Sequence, residues 1–234
     1  MREAILFDMD GTLVPMELET FAKAYMEKLV KAVYPLGYDP NALTGTVWES
    51  VKAMIANDGT ITNCERCWKV FSDCLGEDIL LKQDVFNDFY NGDFYSLKEF
   101  TGENPLAKRA VEEAKKHAGK VILATNPVFP LEAVKARLSW VGLTLEDFDY
   151  VTSYENSSYC KPNPKYYEEI FAKNGLSSNG LLMVGNDVHE DYVPANGLGM
   201  DVFLVTDCII GEVSNAENVE TGTFEELVSY LEKQ

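Results

Sequence analysis

Positive charge is scarce in this chain. Lys and Arg number 20 against 38 Asp and Glu over 234 residues, a formal net charge of −18. Phosphate backbones and anionic lipid surfaces are held by clustered Lys and Arg, so this balance argues against nucleic acid and membrane as partners. Long apolar runs are also missing, and no stretch approaches the roughly 20 residues that would span a bilayer. The first apolar strand follows the N-terminus directly, with no basic region, apolar leader or cleavage site ahead of it. Cysteines number five, an odd count that does not read as a disulfide framework, so a cytoplasmic location is expected. Cys64, Cys67 and Cys74 fall short of a zinc site, because no fourth Cys or His lies near them. No internal repeat or low-complexity segment is present, and oligomeric state leaves no signature.

The acidity is most simply read as solubility. It carries one consequence for function: an anionic substrate must meet a local positive centre, either a metal ion or a placed lysine. What the chain does have is apolar residues, 46% of the total, enough for one good core and a small second one.

The most informative segment is Ala4-Ile5-Leu6-Phe7-Asp8-Met9-Asp10-Gly11-Thr12-Leu13. A short apolar run suited to one buried strand stops at two aspartates one residue apart, and a glycine lets the chain turn away. Acids at the C-terminal end of a strand in an open α/β sheet sit where such sheets bind ligands. One carboxylate suits a nucleophile and metal ligand, the other a general acid/base. A pair of acids alone suits a solvated turn equally well.

Along the chain, residues 17–34 carry apolar side chains at helical spacing, and Pro35, Gly37 and Pro40 punctuate them. Further helices are expected over 46–56, 63–75 and 80–89, so that about 15–95 forms an all-helical insert. Strands and helices then alternate. Helices are expected over 105–117, 131–140, 165–174, near 195–197 and over 224–231, and strands over 120–124, 150–152, 181–184 and 202–205. Strands separated by helices imply a doubly wound parallel sheet covered on both faces. The insert interrupts it after strand one, giving an α/β domain from 1–14 and 96–234 and a smaller helical domain from 15–95.

Four strands should deliver their C-terminal ends to one edge. They carry Asp8 and Asp10, then Thr125 and Asn126, then Lys161 in Lys161-Pro162-Asn163-Pro164, then Asn186, Asp187 and Asp191. Each element alone is weak, since a Thr after a strand commonly caps a helix and a Lys before proline is commonly solvated. Their order along one α/β chain is the stronger signal.

In that order the chain resembles the haloacid dehalogenase-like (HAD) hydrolases, over essentially its whole length outside the insert. The Lys-Pro-x-Pro and Gly-Asn-Asp-x-x-x-Asp strings, with a helical insert after strand one, resemble the members with a C1-type cap, the phosphoglycolate phosphatases and phosphomutases among them. The resemblance implies a Rossmann-like core and a Mg²⁺-dependent phosphatase acting on a small phosphorylated metabolite. Asp8 is then the nucleophile, forming an aspartyl phosphate, and Asp10 the general acid/base. Mg²⁺ is expected on Asp8, the backbone carbonyl of Asp10, and Asp187. Thr125, Asn126 and Lys161 are expected on the phosphoryl oxygens, with Asp191 orienting Lys161 or a metal-bound water. The intact Asp8/Asp10 pair favours phosphoryl transfer over dehalogenation. A sugar phosphomutase using the same aspartyl phosphate is the alternative, and a non-catalytic binding protein a third reading.

Two departures from the family pattern stand out. Asn186 occupies the position after glycine where many relatives have Asp, and Asp187, as the better Mg²⁺ ligand, is expected nearer the metal. Val14-Pro15-Met16 makes the entrance to the insert more apolar than a small hydroxy acid calls for. Tyr38, Arg66 and Lys69 are candidates to reach substrate from the insert, although surface or packing roles account for each more simply. His189 is read as an exposed loop residue, and Phe86, Phe89, Tyr90, Phe94 and Tyr95 as core and hinge of the insert.

Overall fold

The six strands of the sheet are all parallel, in the order β3-β2-β1-β4-β5-β6, in a computed structural model that describes residues 1–177, 179–213 and 219–234. The strands are β1 (Arg2–Phe7), β2 (Ala118–Leu123), β3 (Tyr150–Val151), β4 (Leu181–Gly185), β5 (Asp201–Val205) and β6 (Glu220–Gly222). The chain leaves β1 for β2 on one side and later adds β4 on the other. The strand order therefore reverses between β1 and β4, the place where an open α/β sheet leaves a crevice beyond its strand ends. Register aligns those ends: Phe7 sits opposite both Leu123 and Val184. The backbone N–H of Asp8 then donates to the Val184 carbonyl at 2.8 Å.

Side chains of β1 alternate between two buried layers, as the period of a strand requires. Ile5 and Phe7 face one layer, which also receives α5 (Ala107–His117), α6 (Leu131–Trp140) and α9 (Phe224–Leu231). Ala4 and Leu6 face the other, closed by α7 (Pro164–Asn174) and α8 (Val193–Gly197). The doubly wound α/β reading of the sequence therefore describes the fold.

Every regular element between β1 and β2 is helical: α1 (Leu18–Val33), α2 (Pro40–Ile55), α3 (Asn63–Leu75), α4 (Gln83–Asn91), short 3₁₀ segments and α5. Their apolar faces join the same buried cluster as Ile5 and Phe7, so the helical layer is packed onto one side of the sheet domain. Phe94 is the joint. It is fully buried, stacks on Trp140 of α6 with centroids 5.8 Å apart, and meets Phe21, Tyr25, Phe89, Tyr90 and Phe129 edge-on or tilted. The two chain crossings into this layer touch each other, through a Met16–Thr101 bridge and a Gly102 N–H to Pro15 carbonyl bond of 2.7 Å.

Several boundaries differ from the sequence reading. Helix α2 begins at Pro40 rather than near Thr46, because the Asp39 carboxylate accepts from the Asn41 and Ala42 N–H groups and proline suits the first helical position. Helix α5 starts at Ala107, two residues after Pro105, with Asn104 Oδ1 accepting from Leu106 N–H. The stretch read as one helix over 80–89 divides into a 3₁₀ segment, Glu77–Lys82, and α4. Strand β6 went unread, since three residues at a sheet edge carry no periodicity. Among the described residues no helix is long and apolar enough to cross a membrane.

Candidate active site

The first aspartate loop is shaped by its hydrogen bonds. Gly11 N–H donates to the Val14 carbonyl and Val14 N–H to the Met9 carbonyl, both at 2.8 Å, which folds the chain back immediately after Asp10. Gly11 has φ of +83°, a conformation open to glycine, and a Cβ there would also strike the Asn186 side chain. The turn leaves the Asp8 and Asp10 side chains lining one cavity of about 390 Å³, together with Thr125, Asn126, Asn186, Asp187, Glu190 and Asp191. It opens at the β1/β4 reversal.

Lys161 lies behind this cavity, against two of the carboxylates that line it. It is 1% exposed, and its Nζ donates to Asp8 Oδ1 and to Asp191 Oδ1, each at 2.7 Å. Burial alone would lower the lysine pKa, but Asp191 and Asp8 hold it well above its ordinary value, so the ammonium persists. Asp191 is fixed in turn, because its Oδ2 accepts from the Asn186 and Asp187 N–H groups at 3.0 Å each. Gly185, at the end of β4, makes room for it; a Cβ there would overlap the Asp191 carboxyl group. Burial pushes the Asp8 carboxyl up to about 8, against the pull of Lys161 and with a push from Asp191.

Asp10 has a cation of its own. Arg137, fully buried on α6, places Nη1 against Asp10 Oδ2. Its Nε donates to the Ala133 carbonyl at 3.2 Å, and its guanidinium lies 4.5 Å from the Phe129 ring centroid. Burial raises the Asp10 pKa while Arg137 restrains the rise. Asp10 Oδ1 is buried without a hydrogen-bond partner among the described residues. Sequence reasoning missed Arg137. The available signal was an arginine on the apolar stripe of α6, three and four residues from Val134 and Ala133.

Thr125 is buried, and its carbonyl is pinned by Thr152 Oγ1 and Tyr166 OH at 2.8 Å each. The Asn126 side chain ties two loops, accepting from Lys161 N–H at 3.2 Å and donating to Glu190 Oε2 at 2.9 Å. Glu190, raised in pKa chiefly by burial, lines the cavity and is absent from the sequence reading. The Asn186 amide is committed to protein partners, accepting from Thr12 Oγ1 at 2.9 Å and donating to the Cys208 carbonyl at 2.7 Å. Asp187, less buried, uses Oδ1 to cap the π-helical turn Val188–Tyr192.

The candidates from the helical insert do not reach the cavity. Tyr38 donates to Asp78 at 2.9 Å, Lys69 to Asp73 at 3.2 Å, and Arg66 binds Asn57 and Asp58. These polar side chains satisfy one another on the helical layer. The insert instead sends Leu18, Trp48, Val51 and Ile55 to the cavity wall. His189 is exposed.

Among the described residues five carboxylates line this cavity, and two cations, Lys161 and Arg137, pair with three of them. An anionic substrate alone would be repelled. Among the described residues no three Asp, Glu, His or Cys side chains are gathered tightly enough to enclose a metal by themselves. Mg²⁺ asks for less: one or two carboxylates, other hard oxygens and several waters. Asp8 and Asp187 line the cavity and bring two such carboxylates, so the donors present fit the ion.

The family model described as haloacid dehalogenase-like hydrolase matches residues 3–199. The chain belongs to that family. It is 24% identical over 225 residues to the glyceraldehyde 3-phosphate phosphatase of Methanothermobacter thermautotrophicus, covering 93% of this chain and 89% of that protein. It is 25% identical over 215 residues to the ribulose-1,5-bisphosphate 5-phosphatase of Halopiger xanaduensis, with 87% and 84% covered. In fold it resembles a HAD phosphatase from Thermococcus onnurineus, with a TM-score of 0.59 at 19% identity and 98% and 97% of the two chains covered. This HAD hydrolase thus shares the fold of that structure over nearly its whole length.

Proposed function

We propose that this HAD hydrolase is a Mg²⁺-dependent phosphatase that cleaves a small phosphomonoester through an aspartyl phosphate on Asp8. The observation that carries the reading is the division of labour between two neighbouring aspartates in one cavity. Asp8 is tied to Lys161 through Oδ1, and Asp10 to a separate cation, Arg137. The names of the two sequence relatives, both phosphatases, support the same class.

In this reading Asp8 Oδ2 attacks phosphorus in line, forming the Asp8–O–P bond as the bond to the leaving alcohol breaks. Asp10 gives its proton to the departing oxygen. Water then attacks the aspartyl phosphate while Asp10 takes a proton from it, which releases inorganic phosphate and restores both carboxyl groups. Lys161 lies against the Asp8 side, where it offsets phosphoryl charge, and Thr125 and the Asn126 backbone N–H are the donors assigned to the phosphoryl oxygens. Asp8, the Asp10 carbonyl and Asp187 would hold Mg²⁺, which when bound supplies positive charge to the phosphoryl oxygens. Asp187 rather than Asn186 takes this role because the Asn186 amide is spent on Thr12 and Cys208. Residues 15–95 serve as a cap over the core formed by 1–14 and 96–234, closing about residues 13–16 and 95–102.

The test is phosphate release from a panel of phosphorylated metabolites, with Mg²⁺ or EDTA, for wild type and Asp8→Asn. Mg²⁺-dependent release is expected, falling below about a thousandth of wild type in the variant. Activity that survives in Asp8→Asn would remove Asp8 from the nucleophile's role.

A further inference from the structure

Beside the aspartate cavity lies a second one of about 520 Å³, within the size range of small-molecule sites. The two adjoin and share a wall, since Asp10, Leu18, Trp48, Val51, Val128 and Phe129 line both. The second begins where the leaving group of a phosphomonoester would lie, at the residue that protonates it. Its walls are almost entirely carbon: Met16, Phe21, Met26 and Val47 complete them. Apart from Asp10, its charged residues are Glu19 and Lys23, both exposed. Among the described residues no Ser, Thr, Asn, Gln or His side chain lines it, and the one hydroxyl there, on Tyr25, is bonded to Tyr90 at 2.8 Å.

The mouth repeats the pattern. Leu18, Trp48, Ile55 and Ile210 are large apolar residues left 38–46% exposed, and each lines one or both cavities. Apolar side chains gathered at a catalytic cleft mark a surface that a ligand covers. A polyhydroxylated leaving group would lose water from its hydroxyls here and meet few polar side chains in exchange, Asp10, the Trp48 indole N–H and the exposed Glu19 and Lys23. A hydrocarbon one loses nothing comparable and buries its surface.

We infer that the substrate's leaving alcohol is largely hydrocarbon, an alkyl or aryl group seated against Trp48, Val51, Val128 and Phe129, rather than a polyol or sugar. This rests on the phosphatase reading above. It also separates this chain from the two relatives, which are named for glyceraldehyde 3-phosphate and ribulose 1,5-bisphosphate.

The test compares kcat/KM for n-hexyl phosphate and glycerol 1-phosphate, two esters of primary alcohols, so that binding rather than leaving-group chemistry dominates the ratio. Each methylene fully buried is worth about fourfold. With partial burial the hexyl ester should lead by at least about thirtyfold. Trp48→Ala should lower that ratio about tenfold, because it removes the largest ring of the wall. A ratio near one, a preference for glycerol 1-phosphate, or a ratio untouched by Trp48→Ala overturns the inference.

Titration calorimetry of folded Asp8→Asn protein with the same two esters and Mg²⁺ keeps the two readings apart. Tighter binding of hexyl phosphate without wild-type turnover of either ester would retain the apolar site and reject the hydrolysis reading. Equal or undetectable binding overturns the inference. Turnover confined to glycerol 1-phosphate would keep the phosphatase and reject the apolar leaving group.

Discussion

Arg137 and Asp10, 127 residues apart in sequence, form an ion pair at the wall of the aspartate cavity, with the arginine side chain fully buried and the aspartate side chain 21% exposed. The pair fixes the Asp10 carboxyl group: Oδ2 is held by Arg137, and Oδ1 is buried without a hydrogen-bond partner among the described residues. Asp10 is therefore oriented by the core helix α6, while side chains of the helical layer line the same cavity.

Replacing Arg137 with Met should cost about 3–5 kcal/mol in unfolding free energy, the range for breaking a buried pair from one side. Asp10→Asn in the same background should recover part of that loss, because it removes the stranded charge. Urea denaturation of both single variants and the double variant reads the coupling. Additive effects would show that the pair contributes no interaction energy.

Burial holds the Asp8 carboxyl up near 8, above its unfolded-state value, so its native form favours the proton. A raised carboxyl pKa contributes stability that is full below the unfolded value and is lost as pH rises toward about 8. Metal-free protein should therefore lose stability from near pH 4 to pH 8 on this account. Mg²⁺, competing with that proton, should bind more tightly at pH 8.5 than at 6.5. Mg²⁺-dependent melting shifts at the two pH values provide the measurement, and an equal shift at both would contradict the assignment of Asp8 as ligand.

Gly185→Ala should disturb the site without replacing a charged residue. Its Cβ would occupy the space of the Asp191 carboxyl group and force it away from Lys161 and from the Asn186 and Asp187 N–H groups. A loss of about 1–3 kcal/mol in stability is expected from overpacking. A fall of at least about tenfold in kcat should accompany it as Lys161 loses one of its two anchors. Wild-type kcat in a folded variant would show that the Asp191–Lys161 contact is dispensable.

Phe94→Ala should cost about 3–5 kcal/mol, the range for a buried Phe that leaves a cavity. Phe94 touches rings from the helical layer and Trp140 of α6, so its loss should loosen the layer from the sheet domain. Hydrogen exchange should then rise in α1 and α4 before it rises in β1 and β4. Uniform acceleration across both regions would mean that the molecule opens only as one unit.

Much of this was legible along the chain, because it depends on local signals. The apolar runs of β1, β2, β4 and β5 announce buried strands, and the helix over Asn63–Leu75 shows itself by Thr62 and Glu65, which form a capping box. The order of Asp8, Asp10, Thr125, Asn126, Lys161, Asp187 and Asp191 is a property of sequence, and a parallel sheet necessarily sends those strand ends to one edge. Short elements were less legible: β6 has three residues, too few to display a period.

By itself, then, the sequence determined the alternating α/β fold, the helical insertion after the first strand and the acids that follow the strands, since periodicity and glycine or proline punctuation act within a few residues. The tertiary structure alone decided which cation each aspartate meets. It brought Arg137 to Asp10, Glu190 to Asn126, and turned Tyr38, Arg66 and Lys69 away toward partners of their own. It also assembled the apolar wall from α1, α2 and the loop bearing Val128 and Phe129. Those contacts join residues far apart in the chain, and they depend on how whole helices settle onto the sheet, which no local pattern of residues encodes.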